Sequence, residues 1–104
     1  MTKLNVELVT PESLVYSSDA HMVVVPGVEG DFGILGGHSP MISSLRPGVI
    51  DIYESEAKIS KSLFVSEGFV EVTQERCTIL VRSATDVTGN PEEASKLLAD
   101  AIAA

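Results

Sequence analysis

The sequence is poor in the groups that carry most protein chemistry. It holds one cysteine, Cys77, two histidines and no tryptophan. A single thiol excludes an internal disulfide and a multi-cysteine metal site. With two tyrosines and three phenylalanines as its only aromatics, it has little with which to stack a sugar. Basic residues are scarce: 7 against 15 acidic ones, a net charge of −8. That balance argues against nucleic acid, which demands cations to replace its counterions. Long apolar runs are missing too, since Met22 to Pro26 is far too short to span a bilayer. The N-terminus shows neither a signal-peptide core nor the Arg- and Ser-rich look of an organelle transit segment.

What remains is a chain of 104 residues with a 44% hydrophobic share, too apolar for a disordered acidic tail. The length suits one domain, able to bury about two-thirds of the surface its unfolded form exposes. Leu4, Val6 and Leu8 alternate with Asn5 and Glu7, the period of a half-buried strand. Short runs follow at Ser13 to Ser17 and Ala20 to Val25. From Pro26 to Pro40 five glycines punctuate the chain, which reads as a loop with several positive φ angles. Met41 to Leu45 resumes strand character, and Arg46-Pro47-Gly48 carries the signal of a type II turn. Val49 to Tyr53 with Lys58 to Val65, and Phe69 to Thr73 with Thr78 to Arg82, have hairpin spacing. Short strands at this spacing predict a mainly β fold, an antiparallel sandwich or barrel. Only the end differs. Asn90 can cap a helix opened by Pro91, Glu92 and Glu93, and Ala94, Leu97, Leu98, Ala101 and Ile102 then form one stripe. The predicted division is a β-domain over residues 1–87 and a linker plus helix over 88–104.

No catalytic set assembles. Gly27, Gly30 and Gly33 are spaced GxxGxxG, which matches neither the dinucleotide fingerprint nor a P-loop. Gly37-His38-Ser39-Pro40-Met41 falls short of a nucleophile elbow, because Met41 stands where a glycine belongs. His38 and Ser39 either bond the backbone of a turn or meet a partner. His21 shares a predicted strand face with Val23 and Val25 and reads as structural, and no histidine pairs at metal-ligand spacing. Glu29 and Asp31 are either solvated loop charge or an electrostatic contact at a protein interface. Cys77, among strand-forming residues, reads as a buried, inert thiol. These residues point to an acidic β-domain that binds other proteins and needs no cofactor.

The run Pro26-Gly27-Val28-Glu29-Gly30-Asp31-Phe32-Gly33-Ile34-Leu35-Gly36-Gly37-His38-Ser39-Pro40, followed by Leu45-Arg46-Pro47-Gly48, resembles the signature of the epsilon subunit of F-type ATP synthases. Phe64 to Val72 resembles that family's next signature, with Glu67 where a second glycine often stands. The resemblance implies a ten-stranded β-sandwich at the foot of the central stalk, a rotor part without a catalytic site. It implies two partners, the gamma subunit and the polar loops of the c-ring, and no nucleic acid. Carried over residue by residue, Asp31 matches the acidic position facing the c-ring, with Glu29 and Phe32 beside it. His38 matches a histidine near the gamma contact, with Ser39 next to it. Gly33, Gly37, Pro40 and Gly48 match positions that shape the backbone. The family usually continues into a two-helix hairpin, of which only the opening from Pro91 is present, so inhibition of hydrolysis and ATP binding are not carried over. The implied location is peripheral, on the cytoplasmic face of a bacterial inner membrane. The alternative is a free-standing sandwich that binds a peptide or small ligand in an enclosed apolar pocket.

Overall fold

Strand β1 (Leu4–Val9) shows the rule by which the chain folds: Leu4, Val6 and Leu8 are fully buried while Asn5, Glu7 and Val9 point the other way. The coordinates are a computed structural model that describes residues 3–103, so Met1, Thr2 and Ala104 at the outer limits of the two predicted segments lie outside it. After β1 come β2 (Leu14–Ala20), β3 (Met22–Gly27), β4 (Gly30–Leu35), β5 (Met41–Leu45) and β6 (Gly48–Ser55). They are followed by β7 (Lys58–Val65), β8 (Gly68–Val72), β9 (Arg76–Val81), β10 (Ala84–Asp86) and the helix α1 (Pro91–Ala103). The mainly β expectation holds, with ten strands and one short helix among the described residues.

The strand order is β10-β7-β6-β3-β5-β8-β9-β1-β2, with β4 on β3. β3 and β5 meet through the single pair Gly27 and Leu45, and the sheet folds there into two layers of five strands. Val23, Val25, Ile34, Ile50 and Ile52 line the inside of one layer; Leu4, Val6, Val70, Cys77 and Ile79 line the other. Every pair is antiparallel except β1 with β9. The parallel pairing of β1 with β9 has a topological reason. Parallel neighbours need a long crossover, and the intervening strands of both layers supply it.

The Pro26–Pro40 stretch departs from the loop expected of it. β3 turns through Val28 and Glu29 into β4, and the two strands pair from Met22–Leu35 to Gly27–Gly30. Ile34 is fully buried and Phe32 packs against the core, while Asp31, Gly33 and Leu35 face outward. That is a period-two strand whose apolar face has only two residues, too weak a pattern to stand out among glycines. Only Gly30 and Gly37 in this stretch take positive φ, 136° and 85°. The Arg46-Pro47-Gly48 turn is also not type II, because Gly48 lacks the positive φ that turn requires. Gly48 instead opens β6 at a place where a Cβ would stand 2.9 Å from the Cβ of Pro26. Close packing, and not backbone freedom, calls for glycine there.

At the far end, β10 is tied to the helix start. Thr88 donates from its backbone N–H (2.9 Å) and its hydroxyl (2.6 Å) to one carboxylate oxygen of Asp86, and Lys61 Nζ lies 3.0 Å from the other. Asn90 Oδ1 then accepts from the Glu93 N–H at 3.1 Å, the predicted cap, with Pro91 in the first turn. Ala94 and Leu97 are half-buried toward the sandwich, whereas Leu98 and Ile102 stay exposed. The bonds from Thr88, helped by Lys61, hold the Asp86 carboxyl down at about 2 from an ordinary 3.8. A depressed folded-state pKa adds stability that is present above about pH 4 and lost as pH falls toward about 2. Asp86→Asn should therefore flatten the acid side of the stability curve between about pH 4 and about pH 2, as read from urea denaturation across that range.

Candidate interaction surfaces

The β3–β4 hairpin brings three predicted contact residues together but gives each a different environment. Glu29 sits in the turn, exposed, with no ion pair among the described residues. Asp31 is already engaged: Arg46 Nη2 donates to its Oδ1 at 2.7 Å. Phe32 turns inward, its ring lying so close to Gly27 that a Cβ there would stand 2.8 Å from Cε1. One free acid, one paired acid and one packing residue result.

His38 and Ser39 lie beyond the end of β4. The backbone N–H of Gly37 donates to the Gln74 carbonyl at 2.7 Å, and that of His38 to the Leu35 carbonyl at 3.2 Å. The His38 ring is half-buried, and its Nδ1 stands 2.7 Å from the Ser39 carbonyl oxygen. A carbonyl can only accept, so in this bond Nδ1 is the donor. Ser39 and Pro40 are exposed just before β5. His21, expected on a strand face, falls between β2 and β3, where its backbone N–H donates to the Tyr53 carbonyl at 2.8 Å.

Sequence reasoning missed a second surface. In the outer face of the β5-β8-β9-β1-β2 layer, Ser44 pairs with Phe69, Phe69 with Leu80, Leu80 with Val9, and Val9 with Leu14. This row crosses all five strands and is apolar after Ser44. Phe69 is 55% exposed and Leu80 47%. Together with Pro11 and the ends of β5 and β9 they line an open groove of about 640 Å³. Glu67 and Arg82, 3.3 Å apart, form an ion pair on its rim. A bond from its own backbone N–H, with one from Arg82, lowers the pKa of the Glu67 carboxyl. The signal was present in the sequence. A strand with one wet face should alternate, yet Ile79-Leu80-Val81 and Phe69-Val70 are apolar in both phases. An exposed apolar row of this kind marks a contact surface.

Among the described residues no three His, Cys, Asp or Glu side chains lie close enough to hold a metal. Cys77 is fully buried, and burial pushes its thiol up to about 12, far from the thiolate a nucleophile needs.

Known proteins share both the fold and the motifs. Residues 3–87 match the family described as ATP synthase, Delta/Epsilon chain, beta-sandwich domain. The chain belongs to the ATP synthase delta/epsilon family. It is 51% identical over 86 residues to the ATP synthase epsilon chain of Rhodospirillum centenum, a match covering 82% of this chain and 59% of that one. It is 43% identical over 105 residues to the ATP synthase epsilon chain of Granulibacter bethesdensis, covering all of this chain and 77% of the relative. It thus spans about three-fifths of the first relative and more of the second. In structure it resembles a chain of the Euglena gracilis mitochondrial ATP synthase assembly that includes the c-ring. The TM-score is 0.78 at 21% identity, over 99% of this chain and 66% of that one, a likeness of fold. The family match spans the β3–β4 hairpin and the groove residues of β1, β8 and β9 alike. A direct check on the inert thiol is available: Cys77 in the folded protein should resist a thiol reagent such as DTNB at pH 8 and react fully in denaturant.

Proposed function

We propose that this chain is the sandwich of a non-catalytic rotor subunit in a proton-translocating ATP synthase. It sits at the foot of the central stalk and joins the gamma subunit to the polar loops of the c-ring. The observation that carries this reading is the apolar row across the outer face of the second layer, on a domain of this family. Proton flow turns the ring, and a stalk part that passes torque on must deform little. Two layers closed over one dense core meet that need.

The two partners would take different surfaces. The β3–β4 hairpin, with Glu29, Asp31 and Phe32, faces the c-ring. Gamma lies along the outside of β5, β8 and β9, from His38 and Ser39 at one end of β5 to the groove at Ser44, Phe69 and Leu80. β5 has five residues, so those ends are about 15 Å apart. An interface of ordinary size, about 800 Å² on each partner, reaches across that distance. The subunit would be peripheral, on the cytoplasmic face of a bacterial inner membrane. The apolar concavity is an open groove on a sheet face, which suits a protein partner better than the enclosed pocket of a free-standing ligand-binding module.

Charging the groove tests the reading. Phe69→Glu with Leu80→Glu should leave the circular dichroism spectrum unchanged, since both side chains already face water. Capture of purified gamma by the double variant should fall at least about tenfold, because apolar anchors of an interface commonly contribute about 2 kcal/mol or more each. Unaltered capture would remove gamma from this face.

A further inference from the structure

The hairpin carries a clamp that decides which of its acids a partner can reach. Arg46 donates three times: its backbone N–H to the Pro26 carbonyl (2.9 Å), Nη1 to the Gly27 carbonyl (3.0 Å) and Nη2 to Asp31 Oδ1 (2.7 Å). Pro26 and Gly27 end β3, and Asp31, which pairs with Pro26, lies just inside β4. One residue therefore grips both sides of the turn, using the fixed fork that sets arginine apart from lysine. A further bond ties the tip to the second layer, from the Val28 N–H to the Ser44 carbonyl at 3.1 Å. Beyond the clamp, Val28 is 56% exposed and Glu29 pairs with no cation among the described residues.

We infer that Arg46 is a positioning residue: by neutralising Asp31 and fixing the turn, it presents Val28 and Glu29 as the pair the partner contacts. The inference rests on reading the hairpin as the edge that faces the c-ring, and it narrows that edge. The partner chemistry it selects is a polar loop that offers a cation to Glu29 beside an apolar contact for Val28. Asp31 acts through the hairpin and not on the partner. The Arg46 and Asp31 side chains are 44% and 61% exposed, and exposed pairs add little to folding stability. Their removal changes the presentation of the tip and spares the fold.

The test uses the full chain and two readouts. Amide hydrogen exchange at Val28, measured by NMR on the chain alone, reports the clamp. Affinity for a reconstituted gamma–c-ring rotor reports the contact. Arg46→Met and Asp31→Asn should each speed Val28 exchange about tenfold and weaken rotor binding about fivefold. Arg46→Lys, which keeps the charge but not the fork, should recover only part of both. Glu29→Gln should weaken binding and leave Val28 exchange as it was. Weaker binding by Asp31→Asn with unchanged Val28 exchange would show that Asp31 itself touches the partner, and would overturn the inference. So would Val28 exchange that ignores Arg46→Met. If exchange responds to Arg46→Met and Asp31→Asn, but no variant including Glu29→Gln alters binding, the clamp stands. The hairpin is then not the ring contact, and the assignment of Val28 and Glu29 is overturned with it.

Discussion

β3 holds the two layers in register, because it pairs with β4 along its length, with β6 over Met22–Val24 and with β5 at Gly27. Its Val23 and Val25 are fully buried, and at Pro26 and Gly27 the backbone itself is packed. Gly27 has Phe32 against it and Pro26 has Gly48, so the corner between the layers leaves no room for extra atoms. A corner that tight fixes where β4 leaves and where β5 arrives. The hairpin turn on one side and the end of the groove at Leu45 on the other are therefore set by the same few residues.

From that constraint follows a division of labour between faces. Inward positions form one apolar core, with Tyr16, Phe32, Met41 and Ala84 packed around its edge. Outward positions are free to serve partners, and they differ sharply from place to place. The turn at Val28 and Glu29 is small and acidic; the row from Phe69 to Leu14 is broad and apolar. Charge of one sign steers encounter and orientation, while apolar area contributes most of the lasting affinity. A body proposed to hold two different neighbours can use both kinds of surface at once without altering its interior.

Much of the fold was legible before any coordinates. β1 alternates cleanly, the β6–β7 and β8–β9 hairpins are bounded by polar turns, and Asn90-Pro91-Glu92-Glu93 carries each mark of a helix start. β4 was not legible, because glycine at two of its six positions leaves only Phe32 and Ile34 to show the period. Gly48 misled for a related reason. Proline followed by glycine announces a turn, yet this glycine answers to the ring of Pro26, a residue far away in sequence. The sites divide the same way. Glu29 and Asp31 look alike in the chain, and only the fold shows that Arg46 has taken one of them. The apolar row needed register, since Val9, Leu14, Phe69 and Leu80 come from four strands.

The central claim is that partners grip outward faces of a rigid sandwich. Hydroxyl-radical footprinting of the chain, free and assembled with gamma and the c-ring, tests it most directly because it reports side chains and not backbone. Phe69, Leu80 and Val28 should lose reactivity on assembly, while Ile59, exposed on β7 in the other layer, keeps its own. Protection of Ile59 with Phe69 and Leu80 left as reactive as in the free chain would contradict the account.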